Sequence, residues 1–228
     1  MAVPRINVRG TSGSGKTTLA RALACQLGLA HIELDALHHG PNWAQPTARE
    51  FRDRVQRAMD AAPVGWVIDG NYDSKLDDLV LSAADTVVWV DTPLGRILNR
   101  LWRRTSHRIF NNVELWNGNR ESWRGAFWGA ESLFVWAVRS YFRHRREWPT
   151  KLARHPGYVR LRSDRDIRGW LQYTLATRSA AVRVAGNGDG DPGVDGQHVP
   201  GHPASFVAGE VHGSPADVPG GTFVLDQS

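Results

Sequence analysis

Gly10-Thr11-Ser12-Gly13-Ser14-Gly15-Lys16-Thr17 fits the phosphate-binding pattern G-x-x-x-x-G-K-[ST] at every fixed position. The flanks fit as well. Arg5-Ile6-Asn7-Val8 is short and carries β-branched residues, as a buried strand does, and from Thr18 onward Leu19, Leu23 and Leu27 recur every four residues, as one helix face requires. Strand, glycine-rich turn and helix N-terminus together let backbone N–H groups cradle phosphate oxygens at the positive end of the helix. The nucleotide-binding stretch is therefore Gly10, Thr11, Ser12, Gly13, Ser14, Gly15, Lys16, Thr17 and Thr18. Lys16 is placed to reach the β- and γ-phosphates of ATP, and the Thr17 hydroxyl to hold Mg²⁺.

A chain of 228 residues with 41% hydrophobic and 22% charged residues has the length and balance of a globular protein with a real core. Its one cysteine, Cys25, excludes an intrachain disulfide and gives secretion no support. The first strand is reached too soon to leave room for a signal peptide, and the apolar run Ala126–Val138 is too short to span a bilayer and contains Glu131. A soluble cytoplasmic protein without a membrane partner is expected. Of the 28 basic residues only Lys16, Lys75 and Lys151 are lysines, and one of these sits in the loop. The last fifty residues hold a single arginine, Arg183, against six acids. The excess positive charge of the remainder suits a phosphate-rich partner.

Working outward, His31–Leu34 reads as a second strand ending at Asp35, followed by a polar loop over Ala36–Trp43. Thr47–Ala61 has helical spacing through Phe51, Val55 and Met59. Trp66-Val67-Ile68 is a third strand ending at Asp69-Gly70, Leu76–Ala84 a short helix, and Thr86–Val90 a fourth strand ending at Asp91. Pro93 opens a long helix with the stripe Leu94, Leu98, Leu101 and Trp102 and an opposite face of Arg96, Arg100, Arg103 and Arg104. Asn111–Gly125 is Asn/Gly-rich and reads as a mobile loop; from Phe127 the residues Phe127, Phe134, Tyr141 and Trp148 recur every seven, a buried helix stripe with Ala130 and Ala137 between them. Tyr158–Leu161 is a fifth strand and Asp164 caps a last helix through Ala176. Strands alternating with helices predict a parallel sheet covered on both faces. From Ser179 the pattern stops, and the Gly/Pro/Asp-rich stretch 179–228 reads as a disordered tail.

The phosphate loop, Asp35, Asp69 and Asp91 all fall at carboxyl ends of strands, where ligands bind in such sheets. An acid there can face Mg²⁺ across the nucleotide; Asp69, followed by Gly70, competes for that role with Asp91, which could equally cap the helix behind Pro93. Asp35 is a candidate base toward an acceptor hydroxyl, with His38 nearby as a positioning group or as part of a solvated loop. His38 and His39 lack a third ligand at metal-binding spacing. The stretch 96–148 interleaves arginines with Trp102, Trp116, Trp123, Trp128, Trp136 and Trp148. Three readings apply to it: a lid that brings Arg100, Arg103, Arg104 and Arg120 onto a phosphoryl group, a solvated helix face, or a nucleic-acid surface.

The succession of phosphate loop, Glu33-Leu34-Asp35-Ala36-Leu37-His38, Trp66-Val67-Ile68-Asp69-Gly70-Asn71-Tyr72, Asp91-Thr92-Pro93-Leu94 and Trp116-Asn117-Gly118-Asn119-Arg120-Glu121 resembles the adenylate-kinase-like P-loop proteins. Within them it is most similar to the group labelled DNA topology modulation proteins. The resemblance covers about residues 3–176. It implies a five-stranded parallel sheet in the order 2-3-1-4-5, an insertion after strand two and a lid after strand four. It implies too that Asp69 orients Mg²⁺ through water and that Arg100 and Arg104 are lid arginines. Adenylate kinases continue Asp-Gly with Phe-Pro-Arg, where this chain has Asn71-Tyr72-Asp73, so the arginine that grips a nucleoside monophosphate is missing there. Asp35 instead resembles the acid after strand two of small-molecule kinases such as shikimate kinase.

The expectation is thus a three-layer α/β/α P-loop domain over residues 1–178, with a lid near 105–125 and the tail outside it. Its expected activity is Mg²⁺-dependent transfer of a phosphoryl group from ATP to an unidentified small-molecule or nucleotide acceptor. Lys16, Asp35, Arg100 and Arg104 would be catalytic, and Thr17 and Asp69 would serve the metal, the latter through water. Asp35, His38, Arg103 and Arg120 would meet the acceptor. The alternative is a nucleotide-dependent regulatory or nucleic-acid-associated NTPase that uses the Arg/Trp stretch as its surface.

Overall fold

Apolar strands of four or five residues, each followed by a helix, bury both their faces by lying side by side with helices above and below. The computed structural model, which describes residues 4–128 and 132–186, has this arrangement. In chain order the elements are β1 (Arg5–Arg9), α1 (Lys16–Leu27), β2 (Ala30–Glu33), α2 (Leu34–His38), α3 (Ala48–Asp60), β3 (Trp66–Asp69), α4 (Asp73–Leu76) and α5 (Leu79–Ala83). They continue as β4 (Thr86–Val90), α6 (Leu94–Phe110), α7 (Trp123–Phe127), α8 (Leu133–Leu152), β5 (Tyr158–Leu161) and α9 (Asp164–Gly186). All strand pairs are parallel, and the sheet order is β2-β3-β1-β4-β5, the order that the resemblance implies.

The two-residue period of the strands divides the core. Ile6, Val8, Val67, Val88 and Val90 face Leu19 and Leu23 of α1 and Trp170 of α9. Their neighbours Trp66, Ile68, Val87 and Trp89 face the other way, onto Phe51 and Val55 of α3 and Trp148 and Leu152 of α8. Thr47 starts α3 through a reciprocal capping box with Glu50.

The structure departs from the expected elements in several places. Leu34–His38 is a helical turn, so Asp35 and His38 stand on one short element and not on a strand end and a loop. The segment expected as one helix over Leu76–Ala84 is two short helices parted at Asp77, whose φ is 47°. In α6 the buried stripe is Ile97, Leu101 and Thr105, while Trp102 is exposed. Spacing by four allows either row, and contact with the phosphate loop selects Ile97 and Leu101. The stripe from Phe127 does not run through one helix: Phe127 ends α7, and α8 starts afresh where the Ser132 hydroxyl accepts from the Val135 N–H. Ala130, expected inside that stripe, lies outside the described residues. The last helix runs ten residues past Ala176 to Gly186, so the stretch expected as a disordered tail from Ser179 is helical over its first eight residues. Residues 187–228, expected as tail, lie outside the described residues. Among the described residues no helix is long and apolar enough to cross a membrane.

Candidate active site

The carboxyl ends of β1, β2 and β3 open into a cavity of about 1200 Å³. Its walls include Lys16, Thr17, Asp35, His38, Arg104 and Trp116.

The phosphate loop joins β1 to α1. Gly13 has φ 83°, and a side chain there would strike Leu101 Cγ at 2.8 Å and the Ile97 carbonyl at 2.9 Å, so only glycine lets the loop lie against α6. The loop is braced from behind. The Ser14 carbonyl accepts from Thr92 Oγ1 at 2.8 Å and from Arg100 Nη1 at 3.1 Å, and the Gly10 N–H donates to Asn71 Oδ1 at 3.2 Å. Thr11 Oγ1 lies 3.4 Å from Nδ1 of His144, which stacks on Trp148 at 3.8 Å between ring centroids. Burial, with Arg143 and Arg9 adding to it, holds His144 at about 3, so it meets the loop as a neutral ring. Helix α1 has no acid in its first turn, which leaves its positive end free for an anion.

Asp69 ends β3 opposite this loop. Lys16 Nζ is 3.6 Å from its Oδ1, and both carboxylate oxygens are buried without a hydrogen-bond donor. A buried carboxylate with no hydrogen-bond donor, next to the lysine of the phosphate loop, fits a divalent cation with its water shell. Among the described residues no group of three or more His, Cys, Asp or Glu side chains gathers to hold a metal, so such an ion would take its remaining ligands from phosphate and water. Gly70 follows with φ 140°; a Cβ there would lie 2.8 Å from Leu34 Cβ, so glycine allows β3 to pass close to α2.

Asp91, the rival for the metal side, is turned to another task. It is buried and accepts from Arg145 at 2.9 and 3.2 Å and from Arg160 at 3.0 and 2.7 Å. It neither caps α6, whose N-cap is Pro93, nor lines the cavity.

On the far wall the Tyr72 hydroxyl donates to Asp35 Oδ1 at 2.6 Å. Burial and the adjacent carboxylate push the phenol well above its ordinary range, so it stays a donor. The segment that carries Tyr72 is anchored by Asp73, which Arg9 meets at 2.5 Å and Lys151 at 3.1 Å. Burial alone would raise the Asp73 carboxyl, but these two cations hold it below its ordinary value. His38 is buried against Phe51 and Tyr72, with Nε2 2.7 Å from Lys75 Nζ.

The stretch after α6 is a built turn, and not the open loop that its composition suggests. Glu114 and Arg120 pair as an isolated bridge around a single 3₁₀ turn, Trp116–Gly118. Asn119, 3% exposed, donates to the carbonyls of Gly40 at 2.9 Å and Trp116 at 2.8 Å and accepts from the Trp43 N–H at 2.8 Å. Asn117 donates to the His39 carbonyl at 2.5 Å, and the His39 ring stacks on Trp116. The segment is thereby seated on the loop after α2 and roofs the cavity.

Of the residues expected to act, Gly10, Ser12, Lys16, Thr17, Thr18, Asp35, His38, Arg104 and Arg120 come together around the cavity. Thr11, Gly13, Ser14 and Gly15 shape the loop from outside its lining, and Asp69 lies behind Lys16. Arg100 is absent from the wall: it binds the Ser14 carbonyl and Asp164, so it braces the loop. Arg103 is exposed and outside the lining. Arg104 is part-buried, with a 3.4 Å contact to Ser12 Oγ and a buried Nε that has no acceptor. Burial, then the neighbouring Arg108, shifts it down from its ordinary value, so an anion arriving there would be welcome. Asn71, Tyr72, Lys75, Asn119 and His144 were not singled out from the sequence for a role. Asn71 and Tyr72 did carry a signal, since they follow directly on a strand-end Asp-Gly.

Comparison with known proteins finds partial likenesses. Residues 6–72 match the model of the ATPase family associated with various cellular activities (AAA). The chain is 31% identical over 119 residues to a gluconokinase of Gluconobacter oxydans (strain 621H), a match that covers 44% of this chain and 65%, less than two thirds, of that protein. Among solved structures, a shikimate kinase from Acinetobacter baumannii in complex with shikimate is similar with a TM-score of 0.47 at 16% identity, over 79% of this chain and 95% of that one. A gluconokinase from Sinorhizobium meliloti 1021 is similar with a TM-score of 0.44 at 20% identity, over 81% and 98%. The strand order, the loop and the acid opposite it define the class on their own. They make it a P-loop α/β fold with a five-stranded parallel sheet in the order β2-β3-β1-β4-β5.

Proposed function

We propose that the chain transfers the γ-phosphoryl of ATP to a hydroxyl group of a small-molecule acceptor. One observation carries the reading: Lys16 of the phosphate loop and the Tyr72-oriented Asp35 face a single cavity that also admits Arg104 and Arg120. The loop and the start of α1 hold the phosphates, and Lys16 follows charge onto the β,γ-bridge as it develops. Thr17 and Asp69 would hold Mg²⁺, which would supply neutralisation of the phosphate oxygens. Asp35 aligns the acceptor hydroxyl and takes its proton, while Tyr72 fixes the carboxylate for that step. Arg104 and Arg120 meet the transferring group, and the seated 114–121 segment keeps water away from it. The gluconokinase match supports a hydroxylated acceptor.

Labelled ATP offered with nucleoside monophosphates, nucleosides, polyols and hydroxylated acids tests this. Label should appear on a hydroxylated compound. Release as inorganic phosphate alone, across the whole panel, would contradict a kinase.

A second reading rests on its own observation. Trp102, Trp123 and Trp128 are exposed around Arg124, with exposed Arg103 next to Trp102 in the chain, a pattern of rings and cations suited to nucleic acid. The relatives described above give it no support. Nucleic-acid affinity that falls steeply with log[salt] and is lost in an Arg103→Ala/Arg124→Ala variant would favour it.

A further inference from the structure

Lys75 occupies the acceptor side of the cavity in a setting that leaves its charge unneutralised. Its backbone is fixed twice: its N–H donates to the Tyr72 carbonyl at 3.0 Å, and its own carbonyl accepts from Arg52 Nε at 3.1 Å. Arg52 is in turn ion-paired with Asp77. The side chain is fixed twice as well, with Nζ 2.7 Å from His38 Nε2 and 3.1 Å from Gln45 Oε1. An ammonium has three donors, and two are spent here on neutral acceptors. Burial, followed by the charge of Lys75 itself, holds His38 at about 4, so the ring offers a lone pair and no positive charge. Among the described residues no carboxylate lies within ion-pair distance of Lys75, although acids surround it in sequence. Asp73 is engaged by Arg9 and Lys151, Asp77 by Arg52 and Asp78 by Lys151.

The position is informative too. Tyr72, which holds Asp35, is three residues before Lys75, and His38, which holds Lys75, is three residues after Asp35. The ammonium and the carboxylate are thus mounted on the same two short helical elements. A half-buried, pre-positioned cation with a spare donor at a cavity wall is a site for an anion.

We infer that Lys75, held by His38 and Gln45, is an anion-binding subsite for the acceptor, which therefore carries a carboxylate or phosphate group in addition to the hydroxyl that Asp35 receives. This rests on the acceptor side of the proposed phosphotransferase reading. It makes Lys75 a specificity-determining residue: neutral polyols would fit the cavity and still bind poorly.

Matched pairs test it by calorimetry on the full chain with a non-hydrolysable ATP analogue present: D-gluconate against D-glucitol, shikimate against its methyl ester, and glycerol 3-phosphate against glycerol. At least one charged member should bind roughly 10- to 100-fold more tightly than its neutral partner. The pair that responds tells carboxylate from phosphate. Lys75→Met should erase the difference and Lys75→Arg keep part of it, with unchanged binding of the ATP analogue showing that both variants are folded. Equal affinity within every pair, a preference that survives in Lys75→Met, or no binding by any charged compound would overturn the subsite. Charged-ligand binding that depends on Lys75 without phosphoryl transfer from ATP would instead sink the kinase reading and leave the subsite standing.

Discussion

The Tyr72 hydroxyl has one proton to donate, and it goes to Asp35. The phenyl ring meanwhile packs on His38 and Phe51, so Tyr72→Phe removes the hydrogen bond and keeps the packing. We expect kcat to fall about tenfold in that variant with the affinity for ATP unchanged, since the loss is one of carboxylate orientation. Steady-state kinetics with ATP and acceptor varied in turn would show this; an unchanged kcat would mean that Asp35 needs no orienting partner. Lys16 was legible through the phosphate-loop pattern, and Asp35 and Asp69 because each lies at or just past the end of a strand, a position that chemistry and topology both mark. Tyr72 was not legible as a partner. Its contact reaches across 37 residues and depends on the helical turn at Leu34–His38, which the alternation of a strand-like stretch concealed. Asp91 misled in the opposite sense: its strand-end pattern matches that of Asp69, and only the cations on α8 and β5 show that it is occupied.

Helix α6 and the turn that follows it act as one element, a bracket that packs on the phosphate loop at one end and roofs the cavity at the other. Its start at Pro93 could be read from the sequence, but its inward face could not, because two apolar rows run along it and the choice lies with Gly13. The roof rests on Asn119, whose side chain satisfies the Trp43 N–H and the Gly40 carbonyl. Asn119→Ala leaves these groups without that partner, a cost of roughly 1–3 kcal/mol confined to the contact between the turn and the loop after α2. Amide exchange should therefore quicken over residues 39–44 and 114–121 while the sheet stays protected, and KM for the acceptor should rise. Protection unchanged in both stretches would show that the roof does not depend on this residue. Composition pointed the other way: Asn and Gly between helices read as an open loop, yet here the amide side chains make the closing contacts.

For the whole molecule the parallel sheet was the most legible feature, since every strand is short, apolar and separated from the next by a helix. The assembled fold adds an acid sensitivity that no single element has. His38 and His144 are both buried, at about 4 and about 3 in the folded chain against an ordinary value near 6.5. The unfolded chain takes up protons first, so their contribution is complete above pH ~6.5 and is lost as pH falls toward the folded values. Tm should drop between pH 7 and pH 5, above the range in which most carboxylates titrate, and a His38→Gln/His144→Gln variant should flatten that slope. An identical slope in the variant would place the sensitivity elsewhere.

In the proposed reaction two walls of one cavity divide the work, the phosphate loop holding ATP and Asp35 activating the acceptor. Once the acceptor panel has supplied a substrate, single-turnover transfer and ATP binding measured side by side in Lys16→Ala and Asp35→Asn test that division directly. Lys16→Ala should lose both. Asp35→Asn should bind ATP within about twofold of the parent while transfer falls ~10²-fold or more. Transfer at the parent rate in Asp35→Asn, or ATP binding undiminished in Lys16→Ala, would contradict it.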